Sequence, residues 1–312
     1  MKTDSTPAVA IDAKLARSVH DTVAPSAEHG PAACLNCGTL VADRFCGHCG
    51  QDAHHTHRFT MRYLLLHDLP HSVWHVDKGV LYTLRQMLTR PGFAIAEYLA
   101  GRRAQHFRPV AYLLLVGGLG ALLMSMLHVQ PFPPEKVATM PKVFLLAMDR
   151  YMTSLYKYPS LIYTVLLPIN ALVAWLLLRA TRYHYTEMLV AQAFITGTVT
   201  VPAVALTVLL ALLARRLPAL HNLSFVLALP SLVYPIWVYW QMQAHTQLSA
   251  TSRWVRAAGA SLLQFLVLML ACFIYIAFLI TSLLRQDPSL RQDMQQKLKA
   301  KPTTTQVAPG RP

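Results

Sequence analysis

Residues 258–284 read AGASLLQFLVLMLACFIYIAFLITSLL, twenty-seven positions without one Asp, Glu, Lys or Arg. About 20 apolar residues in a helix cross the roughly 30 Å of a bilayer's hydrocarbon core, so this stretch is long enough to span one. Open strands would leave backbone groups unpaired in lipid, so the reading is helical. Working outward, four more stretches share the character: 109–127, 160–178, 188–213 and 222–240. The composition agrees. Hydrophobic residues make up 54% of the 312, and charged residues only 13%, about half the share of soluble domains. That balance excludes an ordinary cytosolic globule. The predicted fold class is an all-α polytopic membrane bundle of about five transmembrane helices over 109–284, with a small N-terminal head. An even number, six, is the alternative.

The flanks bear on topology. Tyr156, Tyr158, Tyr163, Tyr183, Tyr185, Trp237, Tyr239, Trp240 and Trp254 cluster at the predicted span ends, where amphipathic rings prefer the headgroup layer. With the N-terminus in the cytoplasm, the inside flanks hold eight arginines: Arg90, Arg102, Arg103, Arg108, Arg179, Arg182, Arg253 and Arg256. The outside flanks then hold eleven basic residues, among them Lys142, Arg150, Arg215, Arg216 and Arg285. The positive-inside rule leans against this orientation, or towards the even span count. A reduced cysteine cluster and the basic approach GRRAQHFRP favour it, and a cytoplasmic N-terminus is the expectation. The formal net charge of +14 points, beside membrane spans, to anionic headgroups.

Residues 1–33 lack apolar periodicity and a signal-peptide core, and read as a disordered tail. Residues 34–50 are different. Cys34, Cys37, Cys46 and Cys49 form two C-x-x-C pairs eight residues apart, followed by Gly38 and Gly50. Two such knuckles complete a tetrahedron of thiolates about 2.3 Å from one zinc ion. The eight intervening residues would make a hairpin, with Val41 and Phe45 as a meagre core. Burial that small cannot fold the module, so one structural Zn2+ is expected to supply the stability. A thioredoxin-like redox pair needs a βαβ surround for which there is no room. His48 could replace a cysteine ligand, but all four thiols are available.

Residues 51–108 hold a basic, amphipathic collar. Val80, Leu81, Leu84 and Leu88 recur on one predicted helical face, and Pro91-Gly92 separates that helix from a second one ending near Gly101. Two readings fit: helices lying in the membrane interface, with Arg102, Arg103 and Arg108 on anionic lipid headgroups, or a cap packed on the bundle. The order of a four-cysteine ribbon ending Cys49-Gly50-Gln51, then Thr83, Leu88, Pro91 and Gly92, then Tyr98, Gly101, Arg103 and Pro109 resembles a bacterial membrane family, domain-of-unknown-function family 3667. His106-Phe107-Arg108 stands where that pattern often has a tyrosine before its proline. The resemblance covers residues 34 to about 115. It implies an integral protein of the bacterial cell (inner) membrane with a ribbon head, and supplies no activity.

The remaining chemistry is sparse. His67, His71 and His75, near Asp68 and Asp77, are spaced for a second metal site, but Pro70 interrupts the helix they would need. The sequence contains no H-E-x-x-H, G-x-S-x-G or P-loop motif. The spans carry no ionisable group away from their ends, with Glu187 at the boundary of the third. Asn170, Gln192, Thr196, Thr198, Thr200 and Gln264 supply mild polarity near Pro168 and Pro202, read either as a solute path at broken helices or as plain architecture. Gly117 and Ala121 suggest a helix-contact face. Arg44 is the sole basic residue among the cysteines, too little for phosphate contacts, so nucleic acid is an unlikely partner. The expectation is a non-enzymatic membrane protein whose head recruits a protein partner or anionic lipid. The alternative is a transporter or channel component with its path along the third span. Residues 285–312 read as a polar, largely disordered tail.

Overall fold

The computed structural model describes residues 32–52, 79–126, 140–157, 159–214 and 229–299. Two short strands, β1 (Ala32–Ala33) and β2 (Leu40–Val41), pair antiparallel; every other element among the described residues is helical. In chain order these are α1 (Gly79–Thr89), α2 (Pro91–Leu99), α3 (Pro109–Tyr112), a π-helical turn (Leu113–Gly117), α4 (Gly118–Met126), α5 (Lys142–Lys157) and α6 (Pro159–Leu177). They continue as α7 (Tyr185–Ala214), α8 (Leu229–Met242), α9 (Ala250–Gln286) and α10 (Pro288–Lys299).

Prolines and short side-chain caps set several boundaries. Pro91, Pro109, Pro159 and Pro288 open helices at the position where a missing N–H costs nothing. The Ser249 hydroxyl accepts the Ser252 amide at 3.3 Å to start α9, and a Glu187 carboxylate oxygen accepts the His184 amide at 2.7 Å to start α7.

Among the described residues, two helices are long and apolar enough to cross a membrane: Tyr185–Leu210 within α7, and Ala250–Gln286. Pro109–Gly120 and Val165–Leu177 are shorter apolar helical stretches. Burial separates α9 from a soluble core helix, because only 11% of its most apolar window is covered. Leu262, Leu266, Leu270, Phe273, Ile274 and Phe278 are all exposed. An apolar band that continuous marks contact with something other than water. The principal core lies between α7, α8 and α2, around Ile95, Tyr98, Phe194, Val238 and Tyr239. Close approach needs small residues there. A Cβ on Gly197 would meet the Tyr112 ring at 3.0 Å, and one on Gly120 the Thr200 side chain at 3.0 Å. Both glycines permit close helix contacts, whereas a Cβ on Gly117 meets only Leu113 of its own helical stretch, at 3.6 Å.

Several expectations change. The polar tail from 285 is partly a helix: α9 runs to Gln286, the Asp287 carboxylate accepts the Ser289 amide at 2.9 Å, and α10 follows. Leu290 is buried there with Val143, Ala147, Leu279 and Leu283. Only Leu290 and Met294, one turn apart, announced that face. Ala32 and Ala33 belong to a strand, not to the tail. The hairpin wraps the first cysteine knuckle instead of filling the space between the two, and Phe45 is 54% exposed. In α1 the buried positions are Thr83 and Met87, while Leu81 is 77% exposed. Tyr239 is wholly buried, not an interfacial ring.

Candidate metal centre

Each knuckle closes on itself through the same two backbone bonds. The Gly38 amide donates to Cys34 O at 2.8 Å and the Cys34 amide to Thr39 O at 2.8 Å. The Gly50 amide donates to Cys46 O at 2.8 Å and the Cys46 amide to Gln51 O at 2.9 Å. Gly38 (φ 78°) and Gly50 (φ 74°) take the left-handed conformation that this closure requires. The repeat turns all four thiols inward. Their sulfurs lie within 4.8 Å of one another, with Cys34–Cys49 at 3.6 Å and Cys37–Cys46 at 3.5 Å. Sulfurs about 2.3 Å from a central ion stand roughly 3.8 Å apart in a tetrahedron, so four thiolates of this set fit one metal ion with small adjustments.

Cys34, Cys46 and Val41 are the module's buried apolar residues. The Thr39 hydroxyl and then its amide bring the Cys37 thiol down to about 6, whereas loss of solvent pushes Cys49 up to about 11. Arg44 closes the second knuckle by pairing with Asp52 at 3.1 Å, beside a Phe45–Asp52 bridge.

The residue after the last knuckle joins this head to the helices. Gln51 is 5% exposed. Its Nε2 donates to Gly101 O at 2.8 Å, and its Oε1 accepts the Arg103 amide at 2.9 Å and the Ala104 amide at 3.1 Å. One side chain thus reads both polarities of the turn between α2 and α3. Gly101 (φ 96°) allows that turn. Behind it the collar is packed on the bundle. The Thr83 hydroxyl accepts the Phe107 amide at 2.7 Å, Tyr234 donates to Met87 O at 2.9 Å, and the Gly92 amide donates to Gln241 Oε1 at 2.8 Å. A Cβ on Gly92 would sit 2.4 Å from both Gln241 Cβ and Val238 O, so α2 lies directly on α8.

Arg102, Arg103 and Arg108 fall at this junction and differ in their surroundings. Arg103 lies over the Tyr98 ring at 5.4 Å and donates to Tyr98 O at 3.2 Å; Arg102 is half-buried and Arg108 exposed. His106 sits edge-on to Tyr82 and Tyr98 at 5.2 and 5.8 Å. Its Nδ1 is buried with no hydrogen-bond partner, and burial, with Arg90 adding, brings its pKa down to about 4.

The polar span residues separate into two sets. Gln192 donates to the Tyr239 hydroxyl, Tyr239 donates to Gln264 Oε1 at 2.9 Å, and Gln264 Nε2 donates to Asn170 O at 2.7 Å. Thr198 instead meets the Tyr112 hydroxyl at 2.8 Å, Thr200 bonds Gly197 O, and Thr196 is half-buried. Asn170 Oδ1 is buried without a partner. Tyr239 and Tyr112, the hubs of these sets, were not singled out as polar partners in the sequence, and neither was the role of Gln51. Alternating polarity does not say which hydroxyl turns inward. His67, His71 and His75 lie outside the described residues.

The family model described as a protein of unknown function (DUF3667) matches residues 77–119. That is the collar from residue 77 onward and the start of the first apolar stretch, in agreement with the resemblance carried there by Thr83, Leu88, Pro91, Gly92, Tyr98, Gly101, Arg103 and Pro109. The cysteine module and the later helices fall outside the match. No curated protein and no solved structure matches the chain.

Proposed function

We propose that the chain is a non-enzymatic, five-span protein of the bacterial inner membrane that displays a structural zinc ribbon on a helical platform. The ribbon recruits a protein partner, or anionic lipid, to the cytoplasmic face. The observation that carries this reading is the Gln51 contact. A head fastened by three hydrogen bonds to the turn preceding the first apolar helix is held in one pose, which suits display. Four thiolates would complete the zinc shell and leave no position for substrate, so the ion's chemistry would be structural.

The reduced thiols that a zinc ribbon needs support the cytoplasmic orientation, set against eight basic residues at the ribbon's end and eleven at the other. The corner at Arg179–Thr181 meets the one after α8, where His245 Nε2 lies 3.2 Å from Thr181 O, and α2 covers the same end of α8. Arg90, Arg102, Arg103, Arg108, Arg179, Arg182, Arg253 and Arg256 therefore gather at the ribbon's end of the bundle. The bonds tying Gln192, Tyr239 and Gln264 to one another favour architecture over a solute path. The test has two arms. One equivalent of zinc should co-purify and be released by Cys34→Ser/Cys46→Ser while the bundle stays inserted; stoichiometric zinc in that variant refutes the tetrathiolate site. Reporter fusions at residues 30 and 218 should report opposite compartments, cytoplasm for the first.

A further inference from the structure

The helix α5 does not fit a lipid surround. Its inner face packs on the second half of α9: Val143 and Ala147 are buried with Leu279 and Leu283, Tyr151 donates to Cys272 Sγ at 3.2 Å, and Tyr275 donates to Ser154 Oγ at 2.9 Å. The two helices run antiparallel, so each α5 residue has a defined level along α9. Between Arg256 and Arg285, α9 has 28 uncharged residues, with their midpoint at residues 270–271. At 1.5 Å per residue, Asp149 and Arg150, level with about residues 274–278, lie roughly 5–11 Å from that midpoint. The hydrocarbon half-thickness is about 15 Å. Yet Lys142, Asp149, Arg150 and Thr153 are exposed on one face of α5, with Leu146 as the apolar residue among them.

At the same level the other side of α9 exposes Phe273 (71%), Ile274 (58%) and Phe278 (63%). One cross-section thus presents hydrocarbon on one side and charge on the other. Charges at this depth face a water-filled cavity or a protein interior, not lipid.

We propose that the polar face of α5 lines a water-filled vestibule entering the bilayer from the face opposite the ribbon. The proposal rests on the reading that α9 crosses the membrane. Contacts at the far end hold α5 in place: Asp293 accepts the Lys142 amide at 2.9 Å, and Lys297 Nζ donates to Met140 O at 2.8 Å. They clamp α10 across the α5–α9 pair, so the polar face stays at its depth and does not swing out to the surface.

The test is thiol accessibility in the full chain, in native membranes, carrying Cys272→Ser. Asp149→Cys and Thr153→Cys are compared with Phe278→Cys and Leu270→Cys, using a membrane-impermeant maleimide and peptide mass spectrometry to resolve each site from the ribbon thiols. The thiolate that reacts forms in contact with water, so positions 149 and 153 should label at least about ten-fold faster than 270 and 278. Equally slow labelling at all four overturns the vestibule and means that protein or lipid covers α5. Fast labelling at 278 as well overturns the membrane-spanning reading of this half of α9.

Discussion

Replacing Gln51 by alanine should loosen the junction between ribbon and bundle without touching a metal ligand. The side chain is 5% exposed and satisfies three backbone groups, Gly101 O and the amides of Arg103 and Ala104. Each lost bond costs about 0.5–1.5 kcal/mol net, and more where the abandoned group stays dry. Because the two amides share one acceptor and water reaches part of this turn, about 2 kcal/mol is expected, roughly a 30-fold change in a local opening equilibrium. Hydrogen exchange of the Arg103 and Ala104 amides in the full-length protein reads that equilibrium directly. Exchange at both should accelerate about 30-fold, with amides in α8 unchanged. Gln51→Glu keeps the acceptor and loses the donor to Gly101 O, so it should fall between the two. If the ribbon holds the proposed zinc, chelation of wild type should reproduce the alanine effect, since metal binding would then supply the module's folding free energy. Unaltered exchange in Gln51→Ala would refute docking through this residue, whatever chelation does.

Gly92→Ala should lower thermal stability in detergent by an amount equivalent to about 1–3 kcal/mol, because its Cβ would enter α8. Gly259→Ala is the control: it has open space around it, and should be neutral or stabilising by up to about 1 kcal/mol. His106 sets a pH dependence. Its folded pKa of about 4 lies below the ordinary 6.5, so the unfolded chain binds the proton first. The associated stability is intact above pH 6.5 and lost as pH falls towards 4, up to about 3 kcal/mol in all. A His106→Phe variant should flatten the unfolding midpoint across that window; an unchanged pH profile would remove His106 as its source.

Residues differed in how much they disclosed. The C-x-x-C spacing was enough to place four thiols around one point, because two-residue knuckles closed by glycine leave the sulfurs few other places to go. The helices at 185–214 and 250–286 were legible because lipid-length apolar runs need no tertiary context, whereas Pro109–Gly120 and Val165–Leu177 are shorter apolar stretches than the spans expected there. The face of α1 was not. Its buried Thr83 is polar and its exposed Leu81 apolar, and the reason lies 24 residues away, in the Phe107 amide that Thr83 satisfies. The same holds for Gln51, whose partners at 101–104 are remote in sequence. Hydrophobic periodicity records partition between water and oil; it carries nothing about which backbone groups a loop will leave unpaired.

The helix α5 shows where that limit turns into information. Its sequence, KVFLLAMDRYMTSLYK, is amphipathic and would pass as a surface helix of any soluble protein. Nothing in it fixes a depth. Depth comes from α9, whose uncharged stretch measures the membrane, and from two tyrosine hydroxyls that peg one helix to the other. An amphipathic helix at a bilayer's surface faces water on one side as a matter of course; the same helix held against the middle of a span has to bring its water with it. The role proposed for Asp149 and Arg150 therefore resides in neither residue nor in its helix alone. It resides in the register between a polar face and an apolar ruler, which only the packed structure supplies.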